Sequence, residues 1–134
     1  MIGIVIVTHS QLGDALIGAA EFIIGHRPEA MESVSIDLSE NAEKLRAKIA
    51  GGIKNVEGKE GILILTDMFG GTPSNLSLSF LKKGKIEVLT GVNLPMIISI
   101  IQNRSTHKLS ELAEKALEAG KSGISLASKL LESE

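Results

Sequence analysis

Cysteine, tryptophan and tyrosine are all missing from this sequence, and three phenylalanines and three prolines are all it has of those types in 134 residues. The absence of cysteine excludes disulfides, a thiol nucleophile and thiolate metal ligands, and it suits a reducing compartment. Three aromatic rings are too few for a base-stacking platform. A formal net charge of −2 with no basic run lacks the electrostatic footprint of a nucleic-acid binder, so no nucleic-acid partner is expected. No apolar run reaches the roughly 18 residues of a membrane-spanning helix. The opening stretch, Met1 to Val7, is apolar but has neither a basic leader nor a small-residue cleavage pattern. It is read as the first strand of a mature cytoplasmic protein.

What is present is aliphatic. Apolar residues make up 43% of the chain, enough for a core built from Ile, Leu, Val and Ala in a single domain spanning residues 1–134. Ile2 to Val7 is nearly continuous and β-branched, as a parallel strand covered on both faces would be. A helix is expected next, with Ser10 as its N-cap, an apolar stripe at Leu12, Ala15, Leu16, Ala19 and Ile23, and Gly25 as its stop. Met31 to Leu38 alternates as an outer strand does, and Ser39-Glu40-Asn41 starts a second helix that Gly51-Gly52 weakens near its end. Gly61 to Thr66 is a buried strand, followed by a helix closed by Lys82-Lys83-Gly84. Ile86 to Thr90 is a fourth strand, and Asn93-Leu94-Pro95 opens a fourth helix. Ser105 or Thr106 caps a fifth, which Gly120 and Gly123 break. The tail from Gly123 to Leu130 reads as a last strand, with a short helix through Leu131 as the rival.

This βαβαβαβα order predicts an α/β fold, a doubly wound, mostly parallel sheet with helices on both faces. Right-handed crossovers then bring the carboxyl ends of the first and third strands to a switch-point crevice, where such sheets bind ligands. His9 follows the first strand and Asp67 the third. If both face the crevice, a carboxylate accepting the Nδ1 proton leaves Nε2 as the nucleophilic nitrogen and stabilises positive charge on the ring. The turn Gly70-Gly71-Thr72-Pro73-Ser74-Asn75 combines flexible backbone, hydroxyls and a helix start, a combination suited to a phosphoryl group. Gly70, Gly71, Thr72 and Ser74 are therefore the candidate phosphoryl-binding residues, and phosphoryl transfer through a phosphohistidine is the expected reaction. No cofactor is called for, and His9 with Asp67 is too small a ligand set for a metal. His26 and His107 read as solvated, and nothing brings Arg27 or Arg104 to the site.

The stretches Ile4-Val5-Ile6-Val7-Thr8-His9-Ser10, Leu65 through Asn75, and Thr90-Gly91-Val92-Asn93-Leu94-Pro95-Met96 resemble, in order and spacing, the enzyme IIA component of the mannose family of the bacterial phosphoenolpyruvate-dependent sugar phosphotransferase system (PTS). The resemblance implies that His9 takes a phosphoryl group from the phosphocarrier protein HPr and passes it to a histidine of a IIB protein on a separate chain. The membrane IIC and IID transporter is served indirectly. It implies that Asp67 orients His9, and that the chain is a homodimer exchanging a C-terminal strand. Thr72 stands where the family commonly has Ser, and Met68-Phe69 where it often has Trp. Two other readings compete. In a receiver-like regulatory domain Asp67 itself would accept the phosphoryl group, but Thr8-His9 replaces the acidic pair that holds Mg²⁺ and Thr90-Gly91-Val92 offers no Lys. A non-catalytic module would bind a phosphorylated metabolite without keeping its phosphate.

Overall fold

In the computed structural model, which describes residues 1–132, the order is β1 (Gly3–His9), α1 (Leu12–Ile24), β2 (Met31–Ile36), α2 (Ala42–Val56), β3 (Ile62–Thr66), α3 (Thr72–Leu78), β4 (Ile86–Thr90), α4 (Leu94–Asn103), α5 (Leu109–Ser122) and α6 (Ala127–Glu132). The four strands are all parallel in the order β2-β1-β3-β4. Successive side chains of a strand point to opposite faces, so the continuous apolar runs of β1 and β3 feed two cores. Ile2, Ile4 and Ile6 join Leu63 and Leu65 under α1, α4 and α5. Val5 and Val7 join Ile62 and Ile64 under α2 and α3. The chain leaves β1 toward β2 and β3 toward β4, in opposite directions across the sheet, so the β1–β3 boundary is the switch point.

Several local expectations are corrected. Ser10 does not cap α1. It stands one residue too early, in the left-handed region (φ 51°), and the Gly13 N–H instead donates to Thr8 Oγ1 at 2.9 Å. The third helix stops at Leu78, because bonding then tightens to three-residue turns (Ser79 to Leu76, Phe80 to Ser77, Leu81 to Leu78), and Lys82-Lys83-Gly84 forms a turn into β4. The fifth helix begins at Leu109, not after Ser105 or Thr106: the Lys108 N–H is taken by the Glu111 carboxylate at 3.0 Å. Gly120 does not break that helix. A Cβ there would fall 2.8 Å from Met96 Cε, so the glycine lets α5 pack on α4. The tail is not a strand in this chain. Residues 127–132 form α6, the rival reading, closed by its own bonds from Lys129 and Leu130 to the Leu126 carbonyl, with Ile124, Leu126 and Leu131 exposed.

Candidate active site

His9 is the last residue of β1 and pairs in register with Ile36 of β2. Asp67 is the first residue after β3. Because β1 and β3 are hydrogen-bonded neighbours, with Val7 opposite Thr66, the two side chains meet across the switch point. Asp67 Oδ2 lies 2.8 Å from His9 Nδ1 and also accepts the His9 backbone N–H at 2.9 Å. Asp67 Oδ1 accepts the Met68 N–H at 3.0 Å. Burial of the Asp67 side chain raises its pKa. The bonds from the His9 backbone and ring, the positive charge His9 carries when protonated, and the carboxyl's own backbone outweigh that, and the pKa ends below the ordinary value of 3.8. Asp67 is therefore an ionised acceptor near neutrality. His9 Nδ1 must donate to it, which leaves the lone pair on Nε2. The His9 side chain is 38% exposed and that of Asp67 is 12% exposed, so the imidazole is the more open of the two and the carboxylate the more enclosed.

The glycine turn closes over the same ring. Gly70 uses the left-handed region (φ 86°), whereas Gly71 does not; it is needed for close approach. A Cβ on Gly71 would stand 3.0 Å from His9 Cε1 and 3.5 Å from Nε2. Thr72 is the first residue of α3 and is half-buried, and Pro73 follows in the first turn. Ser74 is different: its hydroxyl is wholly buried, without a partner among the described residues, behind the turn. Met68 and Phe69 flank the site as exposed apolar side chains, Phe69 at 75%.

A cavity of about 510 Å³ opens beside His9, lined also by Ser10, Ser35, Asp37 and Lys48. Lys48 pairs with Glu40. Ser35, Asp37 and Lys48 are remote from His9 in sequence; the outer position of β2, which sets the residues after Ile36 beside the end of β1, is the one signal that points to them. Thr8 was also missed as the group that satisfies α1 from beneath.

The remaining candidates lie elsewhere. His26 Nδ1 meets the carbonyl of its neighbour Arg27, which itself lies 3.9 Å from Glu21. Arg104 is buried and donates to the Glu29 carbonyl. His107 lines a larger recess, about 620 Å³, with Glu60 and Gly84, residues that precede β3 and β4 and so mark the opposite end of the sheet. Among the described residues no three metal-ligating side chains gather, and no helix is long and apolar enough to cross a membrane.

The sequence model of the EIIA-man family, described as "PTS system fructose IIA component", matches residues 3–117. The chain belongs to the EIIA-man family. Among its curated relatives in that family is the PTS system mannose-specific EIIAB component of Escherichia coli K12, 33% identical over 92% of this chain. The chain spans 38% of that relative's length. The sorbose-specific EIIA component of Lacticaseibacillus casei is 32% identical over 86% of this chain and 83% of its own. A solved EIIA from Streptococcus agalactiae superposes with a TM-score of 0.84 at 29% identity, covering 96% of this chain and 99% of that one. The mannose/sorbose specific IIA subunit from Enterococcus faecalis shares the fold, with a TM-score of 0.83 at 22% identity over 93% of each chain. The protein is thus a PTS EIIA component of the mannose/fructose family.

Proposed function

We propose that this EIIA component is a phosphocarrier that accepts a phosphoryl group on His9 Nε2 from phospho-HPr and passes it to a histidine of a IIB protein. The observation that carries the reading is the 2.8 Å contact between His9 Nδ1 and Asp67 Oδ2 on a His9 side chain that is 38% exposed. In loading, the Nε2 lone pair forms the new N–P bond while the bond to the donor imidazole breaks and its electrons return to that ring. Asp67 holds the tautomer and offsets the positive charge on His9. Gly70, Gly71 and Thr72 bind the phosphoryl oxygens. Unloading repeats the step with the acceptor histidine as nucleophile.

Met68 and Phe69 form part of the face that receives both partners, whose phosphoryl-bearing side chains must reach the half-exposed ring. The protein works in the cytoplasm and serves a membrane transporter only through IIB. It forms a homodimer, a reading supported by the half-buried residues of the edge strand β4 and by the exposed apolar side chains of the tail.

The test uses labelled phosphoenolpyruvate, enzyme I, HPr and this protein, with His9→Ala beside it. Acid-labile, base-stable label on the wild type alone is expected. Base-labile label retained in His9→Ala would move the acceptor to a carboxylate and overturn the reading. Stoichiometric binding of a phosphorylated metabolite, with no label surviving denaturation, would replace it with a binding module.

A further inference from the structure

Two non-glycine residues among those described have a left-handed backbone, Ser10 (φ 51°) and Ala30 (φ 46°). Such a conformation strains any residue with a Cβ, and glycine would relieve it. Ala30 has a packing reason to keep its methyl: it is partly buried against the core beneath α2 and α3. Ser10 has none. It is exposed, and its hydroxyl has no hydrogen-bond partner among the described residues. Nor is it needed to cap α1, since Thr8 already accepts the Gly13 N–H. Folding alone therefore does not account for a serine here.

Its position does. Ser10 directly follows His9, and the two line the same 510 Å³ cavity. The Ser10 N–H donates to the Ile36 carbonyl at 3.3 Å, extending the β1–β2 ladder by one residue and fixing the backbone from which the side chain projects. Strain of this kind gathers at sites where a side chain is used. We propose that the Ser10 hydroxyl is a phosphoryl-contacting group that donates a hydrogen bond to a phosphoryl oxygen as the group moves onto or off His9. This rests on the phosphocarrier reading above. The hydroxyl keeps its proton throughout; the N–P bonds at the two imidazoles are the only ones made and broken.

Two variants separate the hydroxyl from the strain. Ser10→Gly removes both, and Ser10→Ala removes the hydroxyl alone. In the labelling assay both are expected to lower the maximal transfer rate by about tenfold or more, the effect of losing a hydrogen bond to a charged group. The half-saturating concentration of phospho-HPr should stay at the wild-type value. Ser10→Gly should also raise the thermal midpoint by a few degrees, and Ser10→Ala should not. Transfer by Ser10→Gly at the wild-type rate would remove the hydroxyl from the reaction while leaving the phosphocarrier role standing. A fall in the thermal midpoint of Ser10→Gly would make Ser10 a folding residue and overturn the argument from strain. A wild type that takes no label from active phospho-HPr would defeat the underlying reading, and this inference with it.

Discussion

His9 and His107 invite comparison because each anchors its Nδ1 on an oxygen and each borders a cavity. His9 Nδ1 lies 2.8 Å from a carboxylate contributed by a residue 58 positions away. His107 Nδ1 lies 3.0 Å from the Asn103 carbonyl and 3.0 Å from Thr106 Oγ1, both in its own turn of chain. The carbonyl is neutral and merely orients the ring; the ionised carboxylate also stabilises a positive charge on it. The larger recess belongs to His107 and the smaller to His9. Cavity size does not separate the two histidines. The charge of the long-range partner does, together with the glycine turn pressed against the ring.

The widest test of that difference exchanges the two residues' fates. His9→Ala should lose phosphoryl label completely, whereas His107→Ala should accept it at the wild-type rate; label that follows His107 would erase the distinction. Next in size is Asp67→Ala, expected to slow transfer by about 10²–10⁴-fold through loss of the tautomer and charge roles. Full-rate transfer in that variant would reduce the carboxylate to the rank of the Asn103 carbonyl. Gly71→Ala comes third. Its Cβ would press to 3.0 Å from His9 Cε1, tighter than ordinary contact, so the ring or the turn must shift. A loss of about tenfold in rate is expected, with the fold retained by circular dichroism.

The smallest effect is read in stability. Because the folded Asp67 pKa lies below 3.8, the carboxylate contributes stability that is fully present above that range and fades as the pH falls through the folded value. Denaturation midpoints of wild type and Asp67→Asn should therefore converge on acidification below about pH 4. A constant gap down to about pH 2 would mean that the ion pair contributes nothing to folding.

Much of this architecture could be read from the residues alone, where one physical rule dominated. Short uninterrupted β-branched and aliphatic runs such as Ile62 to Leu65 read as strands covered twice, and their alternation with amphipathic segments pointed to the parallel sheet and its switch point. His9 and Asp67 stood out because strand ends are where polar residues first follow such runs. Legibility failed where long-range and local bonding compete. Thr8 took over the cap expected of Ser10 because its buried hydroxyl lies directly beneath α1. The tail alternates like a strand at Ile124, Leu126 and Leu130, yet within this chain its backbone bonds to itself as α6. The far wall of the His9 cavity comes from the end of β2, the loop after it and Lys48 of α2, and only the spatial order of the strands brings them near.

The double bond count at Asp67 Oδ2 has a kinetic meaning. One oxygen holds the His9 backbone N–H and its ring, so the imidazole is fixed at both ends of its side chain and offers a single lone pair in a single direction. On the phosphocarrier reading, donor and acceptor must both approach along that line and cannot occupy it together. Exchange would then run as a ping-pong, each partner leaving before the other arrives, and an excess of unphosphorylated donor would inhibit delivery simply by standing in the doorway.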